Sequence, residues 1–370
     1  MKKLVIMTLA AAGIASAAMV ATAEEEHWSD AISMKGDLRF RHEYIDNEAK
    51  KSRTRQRVRA RLSLKGEVNE DVDVHIRLAS GSDDPTSSNQ SLDGGSSTKN
   101  FNLDRAYFDW HPDALPGVSL WGGKMKLPFA IAKDLVWDGD LNPEGLAVLL
   151  GTDNDGANVK LNAAALWAEE RSSDSDTLLY GAQLVGELDG DVDLTAGVGI
   201  FYWDNMDGYP VLVDDTKSFG NTSVAVIDPA TAMPTGELLY EEDYTEVEVF
   251  FKAGFDAGVP VKVFGDYVVN TEASGEDTGW QAGFEVGKAK DPGSASFEYS
   301  FRDLEADAVV GAFSDSDFIG GGTGGEGHKL KGKYQLAKNW QFNVTYFISE
   351  IDGASKTDYD RAQIDLIAKF

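Results

Sequence analysis

The sequence contains no cysteine among its 370 residues. This absence excludes a disulfide framework, a thiolate metal site and a cysteine nucleophile. Basic residues are also few, since 34 Lys and Arg stand against 62 Asp and Glu, for a formal net charge of −28. So acidic a chain is a poor ligand for polyanions, and we expect no nucleic-acid partner.

Long apolar runs are missing everywhere except at the N-terminus. Residues 1–23 begin with two lysines, continue through an apolar stretch and close with Ala21-Thr22-Ala23. This pattern predicts a secretory signal peptide cleaved after Ala23; the alternative, a retained membrane anchor, is disfavoured because the run is short. The mature chain, 24–370, then holds 32 basic and 62 acidic residues, a net charge of −30. Because it has no run of about 18 apolar residues, it could cross a membrane only as a closed β-barrel.

The chain has instead a strict two-residue alternation of charge and apolarity. From residue 53 it reads R-T-R-Q-R-V-R-A-R-L-S-L, which places five arginines on one side of an extended strand and apolar residues on the other. The last ten residues, 361–370, alternate in the same way and end on an aromatic residue. Strands that are apolar on one side and charged on the other are typical of a barrel with lipid outside and water inside.

Strands of about ten residues recur along the mature chain and predict an all-β fold, a transmembrane antiparallel β-barrel of about 16 strands. A soluble β-sandwich would show the same period in any single hairpin, but the chain lacks the helices that cover most large sheets. Short and long connections alternate, as in outer-membrane barrels, and we expect the long polar loops 81–100, 204–243 and 304–326 to lie outside the cell. The predicted strands are 34–46, 53–67, 71–80, 101–110, 117–127, 141–151, 157–168, 177–188, 191–203, 244–256, 260–270, 278–289, 294–303, 327–337, 340–350 and 359–370.

Two stretches and the final residue carry a family resemblance. They are W-G-G-K-M-K-L-P-F-A-I-A-K-D-L-V-W-D-G-D-L-N-P-E-G at 121–145, N-L-D-R-A-Y-F-D-W at 102–110, and Phe370. Together they resemble the putative porin family of proteobacterial outer membranes. The resemblance implies a channel in the outer membrane of a Gram-negative cell, a homotrimer surrounded by membrane lipid and lipopolysaccharide. It also implies passive diffusion of small hydrophilic solutes and ions. Phe370 resembles the terminal signal that the barrel assembly machinery reads.

If apolar residues face lipid, a wall of cations lines one sector of the lumen. Neighbouring strands lie about 5 Å apart, so the inward basic residues of the first five strands are expected to be close together. An alternative is that the arginines only keep a strand hydrated and balance nearby carboxylates. The predicted basic wall consists of Arg39, Arg41, Arg55, Arg57, Arg59, Arg61, His75, Arg77, Arg105, Lys124 and Lys126.

The segment between predicted strands 5 and 6 is rich in acids. By resemblance to general porins, this segment, Pro128 to Asn142, is expected to fold into the barrel as a constriction loop. Acids facing the basic wall would then produce a transverse electric field across the lumen. Because the field is strongest where the lumen is narrow, we expect the wall to give a weak anion preference. The predicted constriction-loop acids are Asp134, Asp138, Asp140 and Glu144.

Motifs for catalysis or metal binding are scarce in the sequence. The sequence has no G-x-S-x-G elbow, and its five histidines show neither H-E-x-x-H nor other ligand spacing, so we expect no catalysis, no metal and no cofactor. Two other classes stay open. One is an outer-membrane lipase or protease barrel, for which His42 and His75 are the only candidate catalytic residues. The other is a structural or adhesive barrel whose long loops bind a surface partner.

Overall fold

Sixteen long β-strands make up the computed structural model, which describes residues 31–152 and 154–370. The predicted signal peptide lies outside the described residues. The observed strands match the predicted set in number and order, and their bounds differ by a few residues. They are β1 Ile32–Asn47, β2 Arg53–Asn69, β3 Val72–Ser80, β4 Phe101–Trp110, β5 Val118–Lys124, β6 Glu144–Gly151, β7 Ala157–Glu169, β8 Thr177–Leu188, β9 Val192–Asp204, β10 Tyr244–Asp256, β11 Pro260–Asn270, β12 Thr278–Gly287, β13 Ala295–Leu304, β14 Gly325–Ala337, β15 Trp340–Ile351 and β16 Thr357–Lys369.

The sheet closes on itself through its first and last strands. Each strand pairs antiparallel with its neighbours in sequence, and β1 pairs with both β2 and β16. Arg41, for example, lies opposite Arg57 on one side and Asp365 on the other. Closure leaves no free edge, so the backbone groups of every strand have partners. The prediction of an antiparallel 16-stranded barrel is confirmed.

Side chains alternate between an apolar outer surface and a polar interior. On β15, Trp340, Val344 and Ile348 are 40–46% exposed, whereas Asn343 and Thr345 on the same strand are at most 5% exposed. An apolar stripe on the outside is stable against hydrocarbon, while the hydrogen-bonding groups inside require protein or water partners. The described part of the chain contains no helix that is long and apolar enough to cross a membrane.

The connections lie at two unlike ends of the barrel. At one end the turns are short, such as the two residues between β14 and β15, where Asn339 adopts a left-handed backbone conformation with φ of 61°. At the other end lie the long loops. Loop 205–243 contains a two-stranded hairpin, Ser223–Ile227 paired with Pro234–Tyr240. A short strand in the loop after β3, Gln90–Ser91, adds to β2.

Loop 125–143, between β5 and β6, turns into the barrel and packs against its inner wall. Its Trp137, only 1% exposed, lies with ring centroids 5.1 Å from Phe201 and 6.1 Å from Trp203, both inward residues of β9. Phe129 of the same loop lies 4.9 Å from the Phe201 ring. The main apolar core of the molecule therefore sits inside the barrel, between this loop and β8–β10.

Loop 305–324, between β13 and β14, also turns inward, so a loop predicted as a polar excursion outside the cell is largely buried within the barrel. Its Val309 and Val310 are at most 2% exposed and belong to the same apolar core as Trp137. The backbone N–H of Val310 donates to the Glu246 carboxylate of β10 at 3.0 Å. The segment Ala308-Val309-Val310 is apolar and buries its side chains inside the barrel, where the carboxylate of Glu246 satisfies the backbone N–H of Val310.

Candidate pore constriction

Arginines on β1 and β2 face each other across the strand pair. Arg39 is directly opposite Arg59, and Arg41 is directly opposite Arg57. Like charges in such positions repel, so the arrangement requires nearby carboxylates. Asp37 accepts hydrogen bonds from Arg59 at 3.0 Å and from Arg61 at 2.7 Å. On the same face, the Glu43 carboxylate pairs with Arg55.

The inward loop 125–143 presents its acids to this row. Asp140 Oδ1 accepts a hydrogen bond from Arg61 Nη1 at 2.9 Å, and Asp140 Oδ2 lies 3.5 Å from Arg59 Nη1. Asp134 Oδ2 lies 3.8 Å from the Lys329 ammonium on β14. The loop acids thus contact the arginine row on β2 and a lysine of β14, which lies three strands from β1 around the barrel.

Loop 305–324 contributes a second pair of acids, which the sequence reasoning missed. Asp317 lies 3.1 Å from Arg41 Nη1 and 2.6 Å from Arg361 Nη2. Asp315 lies 3.6 Å from both Arg302 Nη2 and Lys329 Nζ. The strand alternation would have placed Arg302 and Arg361 in the lumen. Nothing local to the S-D-S-D segment at 314–317 indicated that its acids would meet them.

Asp138, in the middle of loop 125–143, has no basic partner within 4 Å among the described residues. Its carboxylate accepts hydrogen bonds from the backbone N–H groups of Asp140 at 2.7 Å and Ser316 at 3.1 Å. Burial, followed by repulsion from Asp315, Asp134 and Asp140, raises the pKa of Asp138 to about 9. Asp317 is the opposite case: burial acts to raise its pKa, but the guanidinium groups of Arg361 and Arg41 hold that pKa well below its usual range.

The far end of loop 125–143 is fixed to the wall opposite the arginines. Gln183 of β8 donates to the Ala130 carbonyl at 2.8 Å and accepts from the Ala130 N–H at 2.7 Å. Lys133 Nζ lies 2.8 Å from Glu298 of β13, and Arg302 Nη2 donates to the Asp134 carbonyl at 2.7 Å. The loop is therefore held at several points around the barrel, a geometry that narrows the lumen.

Four further residues of the predicted basic wall lie in the interior, below the rim. His75 of β3 stacks on Tyr107 with ring centroids 4.7 Å apart, and Arg77 pairs with Asp104. A register shift opposite Arg77 lets both Asp104 and Arg105 point inward, and Arg105 Nε donates to Asn142 Oδ1 at 2.6 Å. Lys126 Nζ lies 4.6 Å from the centroid of the Trp121 ring.

Lys124 and Glu144 lie at the loop end of β5 and β6. Lys124 Nζ pairs with Glu144 Oε1 at 2.8 Å and donates to the Asn142 carbonyl at 3.0 Å. Both residues line a cavity of about 410 Å³ together with Trp137 and Trp203, next to the inward loop. Their assignment to the basic wall and to the constriction acids stays a prediction.

Phe370, the predicted assembly signal, lies beside the start of β1. Its backbone N–H donates to the Gly36 carbonyl at 3.0 Å, and its carbonyl accepts from the Gly36 N–H at 2.9 Å. The side chain is 66% exposed. The terminal ring is thus presented on the outer surface at the end of the strand that closes the barrel.

Between the arginine row, the two inward loops and strands β14–β16 lies a cavity of about 360 Å³. Its lining is almost entirely polar and includes cations of β1, β2 and β14 and carboxylates of both inward loops. Within the described ranges, no group of three or more His, Asp or Glu side chains is placed to hold a metal ion.

Solved structures with the same fold are outer-membrane proteins. OprB of Pseudomonas putida, determined at high pH, aligns with a TM-score of 0.61 at 12% identity, over 92% of this chain and 95% of that one. OmpF of Salmonella typhi, in complex with daunomycin, aligns with a TM-score of 0.56 at 12% identity, over 93% and 99%. OmpT of Vibrio cholerae, in a trimer form, aligns with a TM-score of 0.52 at 13% identity, over 92% and 100%.

A comparison with curated protein sequences finds no match. A family described as "Putative porin" matches residues 44–225 and 224–370, which is nearly the whole described chain. With its closed barrel, its inward loops and this match, the chain belongs to the putative porin family of outer-membrane channels.

Proposed function

We propose that this outer-membrane channel sorts its solutes by charge at the constriction formed by the arginine row and the two inward loops. The protein is a porin of the outer membrane, through which small hydrophilic solutes and ions diffuse passively. One observation supports charge sorting at this level: basic residues on the wall face carboxylates on loops 125–143 and 305–324 at 2.6–3.8 Å. Fixed charges of opposite sign on opposing elements produce a transverse field along the solute path.

The net effect on ions is a weak anion preference. Most loop carboxylates are neutralised by direct contact with the wall, as Asp140 is by Arg61 and Asp317 is by Arg361. Asp138 stays largely uncharged at neutral pH because its pKa is about 9. Some wall cations, by contrast, have no carboxylate partner within 4 Å in the described part of the chain, Arg39 and Arg57 among them.

The test is conductance of the purified protein in planar bilayers. We expect ohmic conductance. In a KCl gradient, the sign of the reversal potential should show that the channel is more permeable to Cl⁻ than to K⁺. Replacing Arg57, Arg59 and Arg61 with Gln should move the reversal potential towards K⁺ selectivity. A K⁺-selective wild type, or a triple variant with unchanged conductance and reversal potential, would refute charge sorting by these residues.

We further propose that the channel performs no chemical step and binds no cofactor. The interior histidine, His75, stacks on Tyr107, and no group of His, Asp or Glu side chains in the described part of the chain is arranged to hold a metal ion. His42 faces outward on β1 and bonds Gln56 at 2.9 Å. A lipase or protease assay in which activity disappears on replacing His75 with Gln would overturn this proposal.

For assembly, we propose a homotrimer within lipid and lipopolysaccharide. The supporting feature is the His42–Gln56 pair, which puts two polar side chains on the otherwise apolar outer face of β1 and β2. Polar groups facing hydrocarbon are unfavourable, so this face is the favoured subunit contact. Cysteine substitution at Gln56 should give cross-linked oligomers in native membranes, and the same substitution at Val198, on the outer face of β9, should not. Equal cross-linking at both sites would contradict the assignment of this face.

A further inference from the structure

Charge balance in the 360 Å³ cavity singles out two cations on its lining. Within the part of the chain that the structure describes, nearly every charged side chain around the cavity has an opposite partner within 4 Å. Arg39 of β1 and Lys331 of β14 line the same cavity and have no such carboxylate. Among the described residues, they are therefore its two cations without a direct ion-pair partner. The carboxylate without one in the described lining is Asp138, and the lining as a whole holds five cations and six carboxylates.

Arg39 is also left with an unused hydrogen-bond donor. Its side chain is buried, 9% exposed, and its Nη2 donates to Asn89 Oδ1 at 2.6 Å, but its buried Nε–H has no partner. A buried guanidinium donor without an acceptor is costly, since it loses water and gains nothing in return. The cavity beside it is the space from which an acceptor could approach.

The wall between these two cations offers neutral hydrogen-bonding groups. Asn343, Thr345 and Gln363 of β15 and β16 line the cavity and are at most 5% exposed. The carbonyl oxygen of the Asn343 side chain, Oδ1, is buried without a donor. A ligand that satisfies the whole site must therefore bring anionic acceptors for the cations and also a hydroxyl donor for Asn343.

We propose that this cavity is a binding subsite for small hydroxylated organic anions, which carry a carboxylate or phosphate at one end and hydroxyl groups at the other. The inference rests on the proposed channel function and names the class of solute that binds in the constriction. The anionic group bonds Arg39, a hydroxyl donates to Asn343 Oδ1 on the wall between the two cations, and Lys331 supplies a further donor to the ligand. Guanidinium and ammonium groups suit either carboxylate or phosphate, so both anions are tested.

The test is block of KCl current through single channels in planar bilayers. We expect gluconate or glucose 6-phosphate to reduce the current at concentrations at least about tenfold lower than acetate or glucose, because acetate lacks the hydroxyls and glucose lacks the charge. Gluconate and glucose 6-phosphate, measured separately, distinguish carboxylate from phosphate recognition. Block by glucose as strong as by gluconate, or no block by either anion, overturns the subsite.

The residues are tested by R39Q, K331Q and N343L, each with K333Q as the matched control. Lys333 lies two residues from Lys331 on the same strand but pairs with Glu285 at 2.8 Å. We expect R39Q and K331Q each to raise the half-blocking gluconate concentration about tenfold or more, N343L to raise it for gluconate but not for acetate, and K333Q to leave it unchanged.

Two failures remain distinguishable in these experiments. A wild-type protein without ohmic conductance would refute the channel itself. Intact conductance in every variant, combined with block that R39Q and K331Q do not weaken, would refute only the subsite. Because each variant's own conductance is recorded, a variant that fails to fold is recognised, and R39K then serves as the milder replacement for Arg39.

Discussion

Arg61 Nη1 donates to Asp140 Oδ1 at 2.9 Å, joining β2 to the inward loop across 79 residues of sequence. The same carboxylate lies 3.5 Å from Arg59. Both arginines also bind Asp37, so one strand residue and one loop residue share two cations. Loop position and lumen charge are therefore set by the same contacts.

Replacing Asp140 with Asn should increase anion preference. The change removes one negative charge opposite Arg59 and Arg61, while Asp37 still holds both arginines. Because the pair is partly exposed, we expect the Cl⁻ to K⁺ permeability ratio to rise by roughly two- to fivefold. Reversal potentials in a KCl gradient measure this, with the Asp113→Asn variant, in the short turn after β4, as control. A ratio that falls or stays constant would contradict the role of Asp140.

Raising the pH through about 9 should make the channel more cation-selective. The pKa of Asp138 is raised to about 9, so the group is neutral below that pH and negative above it. The unfolded chain ionises near 3.8, so between about pH 4 and pH 9 the folded state holds a proton that the unfolded state has lost. The free energy of unfolding should therefore fall as the pH rises across that window.

Reversal potentials at pH 7 and pH 10, and urea unfolding in detergent at pH 5 and pH 8.5, measure the two effects of Asp138. In the variant Asp138→Asn, ion selectivity and the free energy of unfolding should both depend less on pH. Only the contributions of the remaining titratable groups should be left. Identical pH profiles for the wild type and this variant would show that Asp138 does not titrate as described.

Replacing Trp137 with Ala should loosen loop 125–143. The indole is 1% exposed and packs against Phe201 and Trp203, so its loss leaves a cavity in the core inside the barrel. We expect the free energy of unfolding in detergent to fall by about 3–5 kcal/mol and the single-channel current to become noisier. Trp167, 47% exposed on the outer face of β7, is the matched control, and Trp167→Ala should change neither the current noise nor the conductance. Equal current noise in both variants would argue against a packed loop.

Replacing Phe370 with Ser should reduce assembly in cells without changing folding in vitro. The ring lies over Gly36 but is 66% exposed, and the hydrogen bonds of residue 370 with Gly36 are made by its backbone. We expect less folded protein in the outer membrane but unchanged refolding yield in detergent. The measurement is heat-modifiable migration of the barrel on gels from both preparations. A parallel loss of refolding in detergent would assign Phe370 a structural role instead.

Much of the constriction could be predicted because strand alternation is local. Arg57, Arg59 and Arg61 share a face on any extended strand, whatever surrounds them, and the structure places them inside the barrel. The same rule places Arg302 and Lys329 inside the barrel, opposite Gln281 and Ser300 on the neighbouring strands.

The sequence alone determined the sixteen strands, their order, and which side of each strand meets lipid, because a two-residue period needs only neighbours along the chain. Only the tertiary structure decided where the loops go. Whether Asp317 meets solvent or Arg361 depends on contacts between residues 44 positions apart, and the Arg41–Asp317 contact spans 276 positions. No local pattern encodes such distances; they follow from closing the barrel and from burying Val309, Val310 and Trp137 inside it.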